Sequence, residues 1–220
     1  MKKSLVAGTM LAAAVASVAS ASFTGYTVDR VVTAAGNIQY KVYGNWSSNN
    51  LVFLNAFNFA TQAGSMNARH QDAAEDLDGN PSQSWSASVN LLGSVARDND
   101  SWVSASGSGT SAGADASLDP GFNPSNGNSI PNGAGWFDST PGVPNLIAAG
   151  GASGYRMLLM QIVRNGNDAD LEATFYLKNA FKVNGTTTAL FGEGTFTIGV
   201  PAPGALALLG LAGMAGRRRR

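Results

Sequence analysis

The chain has 220 residues, no cysteine and one histidine, and its 14 basic residues balance its 14 acidic ones. That length suits one domain with a real core, and the missing cysteines exclude a disulfide scaffold, a thiolate metal site and a lipid-modified N-terminal cysteine. The balance is uneven: six bases sit at the ends, while all 14 acids lie between Asp29 and Glu193, against eight bases there, a net of −6. An acidic middle with scattered bases excludes the clustered positive surface that nucleic acid requires.

The first residues, MKKSLVAGTMLAAAVASVASAS, place Lys2 and Lys3 before a short apolar core. They end in the small-residue motif Ala19-Ser20-Ala21, so residues 1–21 read as a signal peptide cleaved after Ala21. The core is too short and its flank too small for a retained span. Residues 22–199 then read as one all-β domain. GNIQYKVYG (36–44) opens on a Gly-Asn turn and alternates Ile38, Tyr40 and Val42 with Gln39, Lys41 and Tyr43, the period of a half-buried strand. LVFLNAF (51–57) is continuously apolar, as a central strand is. Residues 66–78, MNARHQDAAEDLD, predict one short helix.

From about 79 to 151 the chain is dense in Gly, Ser, Asn and Pro, the texture of long surface loops. Trp85, Trp102 and Trp136 nevertheless fall inside it, which predicts strands near 85–95 and 101–106. Further on, YRMLLMQIV (155–163) and LEATFYL (171–177) flank RNGNDAD, a hairpin-type connection. AFKV and TALF flank NGTT, and GTFTIG alternates Phe196 and Ile198 with threonines. Strands set off by Gly/Asn turns predict an antiparallel β-sandwich, jelly-roll-like, with long Gly/Ser/Asn-rich loops.

The tail breaks this texture. Residues 200–216 carry no charge, a length that as a helix spans about 25 Å and reaches the short limit for a bilayer. Arg217, Arg218, Arg219 and Arg220 follow; they favour the cytoplasmic side and halt export there. Pro201 and Pro203 hold the preceding backbone extended, a form that a protease or transpeptidase can grip. This order of Val200-Pro201, Ala202, Pro203, a Gly/Ala/Leu-rich span and a terminal arginine cluster resembles the sorting signal of the PEP-CTERM proteins. Ala202 stands where that family usually has glutamate. The resemblance covers about 21 residues and implies handling by an exosortase-like membrane enzyme, passage through the membrane and delivery to the cell surface or extracellular matrix.

Candidate chemistry in the body is sparse. His70 with Asp72 and Ser153 suggests a triad, but no Gly-x-Ser-x-Gly elbow presents the serine. One histidine and no cysteine cannot build the usual zinc site. Asp76, Asp78, Asp98, Asp100, Asp168, Asp170 and Glu172 offer carboxylates for glycoside hydrolysis, a role set against plain loop solvation. Calcium is the one cofactor candidate: Asp76, Asp78 and Asn80 alternate as in the opening of an EF-hand loop, but Ala87 stands where the closing glutamate belongs. Asn165, Asn167, Asp168 and Asp170 form a second oxygen-rich turn. Trp46, Trp85, Trp102 and Trp136 are candidates for stacking on extracellular polysaccharide, or else core packing. The composite expectation is an exported surface or matrix protein, not an enzyme, with a structural or adhesive role. A carbohydrate-binding module is the alternative, and a secreted glycoside hydrolase a weaker one.

Overall fold

The computed structural model describes residues 22–69, 85, 98–107, 116–122, 128–138, 147–149, 154–168 and 171–199. They form β1 (Phe23–Val32), β2 (Ile38–Trp46), β3 (Leu51–Ala63), β4 (Trp102–Gly107), β5 (Ala116–Leu118), β6 (Trp136–Asp138), β7 (Ala148–Ala149), β8 (Tyr155–Arg164), β9 (Ala173–Val183) and β10 (Ala189–Ile198). The described body is all-β, built from two antiparallel sheets. The first sheet runs β1-β2-β8-β4, with β7 on the other end of the same β8 edge. The second runs β10-β9-β3-β6-β5.

Local chemistry accounts for the two hairpins. Gly36 takes a positive φ of 81° in the β1–β2 turn, closed by Gly36 N donating to Thr33 O at 2.9 Å; glycine adopts that conformation without steric cost. Gly185, at φ 82°, does the same between β9 and β10, whose register runs unbroken from Ala189 opposite Lys182 to Ile198 opposite Ala173. The β9–β10 hairpin is therefore the one that the NGTT turn predicts.

The RNGNDAD connection differs from its sequence reading. It joins no hairpin: β8 lies in the first sheet between β2 and β4, and β9 lies in the second between β10 and β3. Asn and Gly specify that the chain reverses, and burial decides which sheet it enters. Residues 157–164 of β8 are buried on both faces, the pattern of a covered central strand, whereas β9 alternates and suits a half-solvated sheet. The β2–β3 corner lies where Trp46 faces Tyr155, and the β8–β9 corner where Ile38 faces Arg164, so the two crossings sit at opposite ends of the sandwich.

The predicted helix is also corrected over its described part. Met66 and Ala68 are buried core residues in chain without regular secondary structure, and Asn67 between them takes a positive φ of 42°. Ala68 N donates to Asn128 O at 2.9 Å and Arg69 N to Val163 O at 2.6 Å. These long-range partners take the amides that a helix would use internally. Residues 70–78 lie outside the described residues, as do 86–95 of the strand expected near 85–95.

The core lies between the sheets. Trp46 meets Phe23, Phe53 and Phe181 edge-on at 5.5, 6.3 and 6.1 Å, and Phe59 stacks on Phe175 at 5.5 Å. Outside the first sheet, residues 98–101 are held by two buried glutamines. Gln39 Nε2 donates to Asp98 O at 3.3 Å and to Gln161 Oε1 at 2.8 Å, and Gln161 Nε2 donates to Asp100 O at 2.8 Å. The polar positions of β2 and β8 are buried because this segment needs its carbonyls satisfied.

Tyr26 seals the seam between β1 and the second sheet. Its hydroxyl donates to Leu177 O at 3.0 Å and accepts from Asn179 Nδ2 at 3.0 Å. Burial pushes its ionisation well above the ordinary tyrosine value, with the Asn179 hydrogen bond opposing in part. The unfolded chain therefore releases this proton first, near pH 10, and the stability present below that pH drains as pH rises further. Tyr26→Phe should cost about 1–2 kcal/mol at neutral pH and flatten the loss between pH 9 and 11. Urea midpoints across that range measure it, and an unchanged alkaline slope would remove Tyr26 as the cause. Tyr43, raised by burial in the same direction, supplies the residual slope.

Candidate functional site

The four tryptophans are buried: Trp46, Trp85 and Trp136 are each 1% exposed and Trp102 4%. None presents a face to a ligand, and Trp136 Nε1 donates to Ser104 O at 3.0 Å inside the core. Stacking on tryptophan is thereby withdrawn, because the sandwich uses these rings to fill its interior.

The exposed aromatics are phenylalanines on the outer face of the second sheet. Along β9, Ala173, Phe175, Leu177, Asn179 and Phe181 are buried, so Thr174, Tyr176, Lys178, Ala180 and Lys182 point outwards. Pairing sets Phe191 beside Ala180, Ala180 beside Asn55, Asn55 beside Phe137, and Phe137 beside Ser117. These five residues form one row across all five strands. Phe191 is 70% exposed and Phe137 41%. They stand three strand spacings apart, roughly 14 Å. Ala180 is small enough that the Phe57 ring of β3 reaches the Phe191 ring of β10 across β9, edge-on at 6.4 Å. Within the row, the Oδ1 of Asn55 is buried without a hydrogen-bond partner.

The neighbouring row runs Glu193, Lys178, Phe57. Glu193 Oε2 accepts from Tyr176 Oη at 2.7 Å and from Lys178 Nζ at 2.9 Å. The Lys178 and Tyr176 hydrogen bonds hold the Glu193 carboxyl below its usual range, and Glu193 in turn raises both partners. Glu193 is thus kept ionised, an acceptor and not a proton donor. Asp119 borders the same face. Its Oδ1 accepts from Gly121 N at 2.9 Å, and its Oδ2 lies 3.0 Å from where a Cβ on Gly135 would sit. The same Cβ would lie 2.7 Å from Ala56 O and 3.1 Å from Phe57 Cα, so only glycine fits there. The row that carries Phe191 and Phe137 is thus bordered by carboxylates, an ammonium and a phenol.

The outer face of the first sheet is more closed. Arg156 lies over the Tyr43 ring at 4.0 Å and pairs with Asp29 at 3.1 Å, beside the buried pair Trp102 and Leu158.

The sequence reading missed Phe191 and Phe137, although both were within reach of it. Phe196 and Ile198 fix the inward parity of β10, and counting back by twos leaves Phe191 on the other face. In GWF the adjacent Trp136 and Phe137 cannot both enter the core of one strand. Of the residues singled out beforehand, Asn165 and Asn167 are exposed in the β8–β9 connection, and Asp100 is buried with its Oδ1 accepting from Ser101 N at 2.8 Å. Glu172 is exposed just before β9. Ala19, Ala21, His70, Asp72, Asp76, Asp78, Asn80, Ser153, Asp170, Val200, Pro201, Ala202, Pro203, Arg217, Arg218, Arg219 and Arg220 lie outside the described residues. Among the described residues no three His, Asp or Glu side chains gather as a metal site would need. No known family matches this chain, and neither a curated protein nor a solved structure is significantly similar to it.

Proposed function

We propose that this chain is an exported, membrane-processed surface or matrix protein whose β body has a structural or adhesive role. The observation that carries the adhesive part is the outward row of the second sheet, where Phe191 and Phe137 stay exposed while every tryptophan is buried. A face that keeps aromatic rings in water has a use outside its own fold. The sorting part rests on the tail, where a twin-proline stretch precedes a short apolar span and four arginines.

The ends of the body suit two processing events. β1 opens at Phe23, two residues after the expected cleavage at Ala21, and β10 closes at Ile198, two residues before Val200. Ser22 N donates to Ser47 Oγ at 2.9 Å, a bond that a newly freed ammonium keeps. Intact mass spectrometry of the protein recovered from its producing cells is the test. Termini at Ser22 and within residues 200–203 are expected, and deletion of the last 21 residues should redirect the protein away from the surface. Retention of all four arginines, or a location indifferent to the deletion, overturns the sorting.

A further inference from the structure

We infer that the body stands on the membrane by the end from which its tail leaves, with Val31, Val32 and Leu171 seated among the lipid headgroups. This goes beyond the adhesive reading and rests on the sorting one, which puts the tail in the bilayer. Three of the five large apolar side chains exposed among the described residues lie at this end: Val32 at 59%, Leu171 at 52% and Val31 at 45%. Pairing brings them there. Val32 lies opposite Ile38 and Ile38 opposite Arg164, whose guanidinium donates to Leu171 O. A Cβ on Gly199 would lie 2.7 Å from the Leu171 carbonyl carbon, so the last described residue sits against Leu171.

Val32 is an apolar residue at an inward position that the fold leaves uncovered. Tyr26 and Val28 pack on the core, and Val32 continues their parity along β1. The turn that follows is exposed at Ala34, Ala35 and Gly36 and carries no charge. The opposite end of the sandwich differs. Ser22 N donates to Ser47 Oγ at 2.9 Å and Asn184 N to Asn50 O at 3.0 Å, which gathers the start of β1, the β2–β3 corner and the β9–β10 turn there. Those corners read SSNN (47–50) and NGTTT (184–188): hydroxyls, amides and one glycine.

Chain length brings the apolar end to the lipid. The uncharged run begins at Val200, directly after Gly199. With Val200 to Pro203 outside the lipid and fully extended, they reach at most about 14 Å. As a helix the run spans about 25 Å against a hydrocarbon core of about 30 Å, a shortfall that draws the flanking residues and the bilayer together. Tethered this closely, at an effective concentration on the order of millimolar, even a weak apolar contact is populated. Arg30 and Glu172, next to these side chains in sequence, are exposed and opposite in sign, so the seating needs no anionic lipid. Two copies rooted in one bilayer stand side by side, so their tail ends cannot meet face to face, and lipid is the occupant.

The chain has no cysteine, so Val32→Cys, Leu171→Cys, Thr187→Cys and Leu208→Cys each offer one site for an environment-sensitive fluorophore. The exported chain, recovered with its tail from cells without an exosortase-like enzyme, is reconstituted in phosphatidylcholine vesicles with and without spin-labelled lipid. The labels at positions 32 and 171 should be quenched several-fold more strongly than the label at 187, with or without added phosphatidylglycerol. Val31→Ser with Val32→Ser should return the Leu171→Cys label to water at unchanged melting temperature, because both valines are exposed. Quenching at 32 and 171 no stronger than at 187, or a Leu171→Cys label indifferent to the two serines, overturns the inference. So does a requirement for anionic lipid, or a Val32→Cys chain that oxidises to a disulfide dimer in the vesicles faster than the Thr187→Cys chain. A label at 208 that stays in water overturns the sorting reading and the seating with it. A quenched label at 208 with the labels at 32 and 171 in water sinks only the seating.

Discussion

Arg164→Met should destabilise the body by about 3–5 kcal/mol, a large share of the 5–15 kcal/mol that holds a typical domain together. Arg164 is 0% exposed at the end of β8. Its Nε donates to Met66 O at 2.7 Å, its Nη1 to Leu171 O and its Nη2 to Ser65 O. One guanidinium thus ties the first sheet to the chain leaving β3 and to the chain entering β9. Methionine fills much of the same volume, so the loss isolates hydrogen bonding from packing. Three carbonyls then face no donor, at about 1–3 kcal/mol each before relaxation. Arg164→Lys should recover only part, because a single ammonium cannot reproduce a planar fork with donors in three directions.

The corner cannot simply open to water. Gly64 and Gly199 both sit at positive φ, and a Cβ on either would collide with the backbone at Glu172 and Leu171 respectively. Urea unfolding followed by tryptophan fluorescence measures the effect, since all four indoles are buried in the native state. A loss below about 1 kcal/mol would mean that water replaces the guanidinium at the three carbonyls.

Nothing in YRMLLMQIVR marks its last residue as an anchor. A terminal arginine after an apolar strand reads as a solvated flank, and its burial depends on two segments roughly 100 residues apart in the case of Ser65 and Met66. The same limit explains the other differences. Alternation in GNIQYKVYG and GTFTIG reports which side chains of one strand share a face, and β2 and β10 obey it. Which strands become neighbours is decided by pairing at a distance, so the β8–β9 connection looks like a hairpin while joining two sheets. Gln39 alternates as a solvated residue and is buried, because residues 98–101 come from far along the chain to cover it. The candidate binding face was partly legible, through the outward parity of Phe191 and Phe137. Its row was not, since the register of β3 against β9 shifts between Phe53 and Asn55 and again between Phe57 and Ala60.

The other large effect lies at the centre of the core. Trp46→Ala should cost about 3–5 kcal/mol, as removal of a buried ring does. Trp46 touches Phe23, Phe53 and Phe181, joining β2 to its neighbour β1 and to β3 and β9 of the second sheet. Its ring leans back over Gly44, two residues earlier on the same face: a Cβ there would lie 2.5 Å from Cη2, 2.9 Å from Cζ3 and 3.1 Å from Leu159 Cδ1. Gly44→Ala alone is accordingly overpacking, at about 1–3 kcal/mol. Trp46→Phe loses ring volume but also removes a buried Nε1–H that has no acceptor, so its cost should fall well below that of Trp46→Ala. The two sites share one space, and their effects should not add. A phenylalanine at 46 vacates the volume that the alanine methyl needs, so the Gly44→Ala, Trp46→Phe double variant should be more stable than the sum of the single losses by about 0.5–3 kcal/mol. Chemical denaturation of the four proteins measures that coupling. Strict additivity would show that the Trp46 ring yields to the methyl by moving elsewhere, and that Gly44 is not what fixes its position.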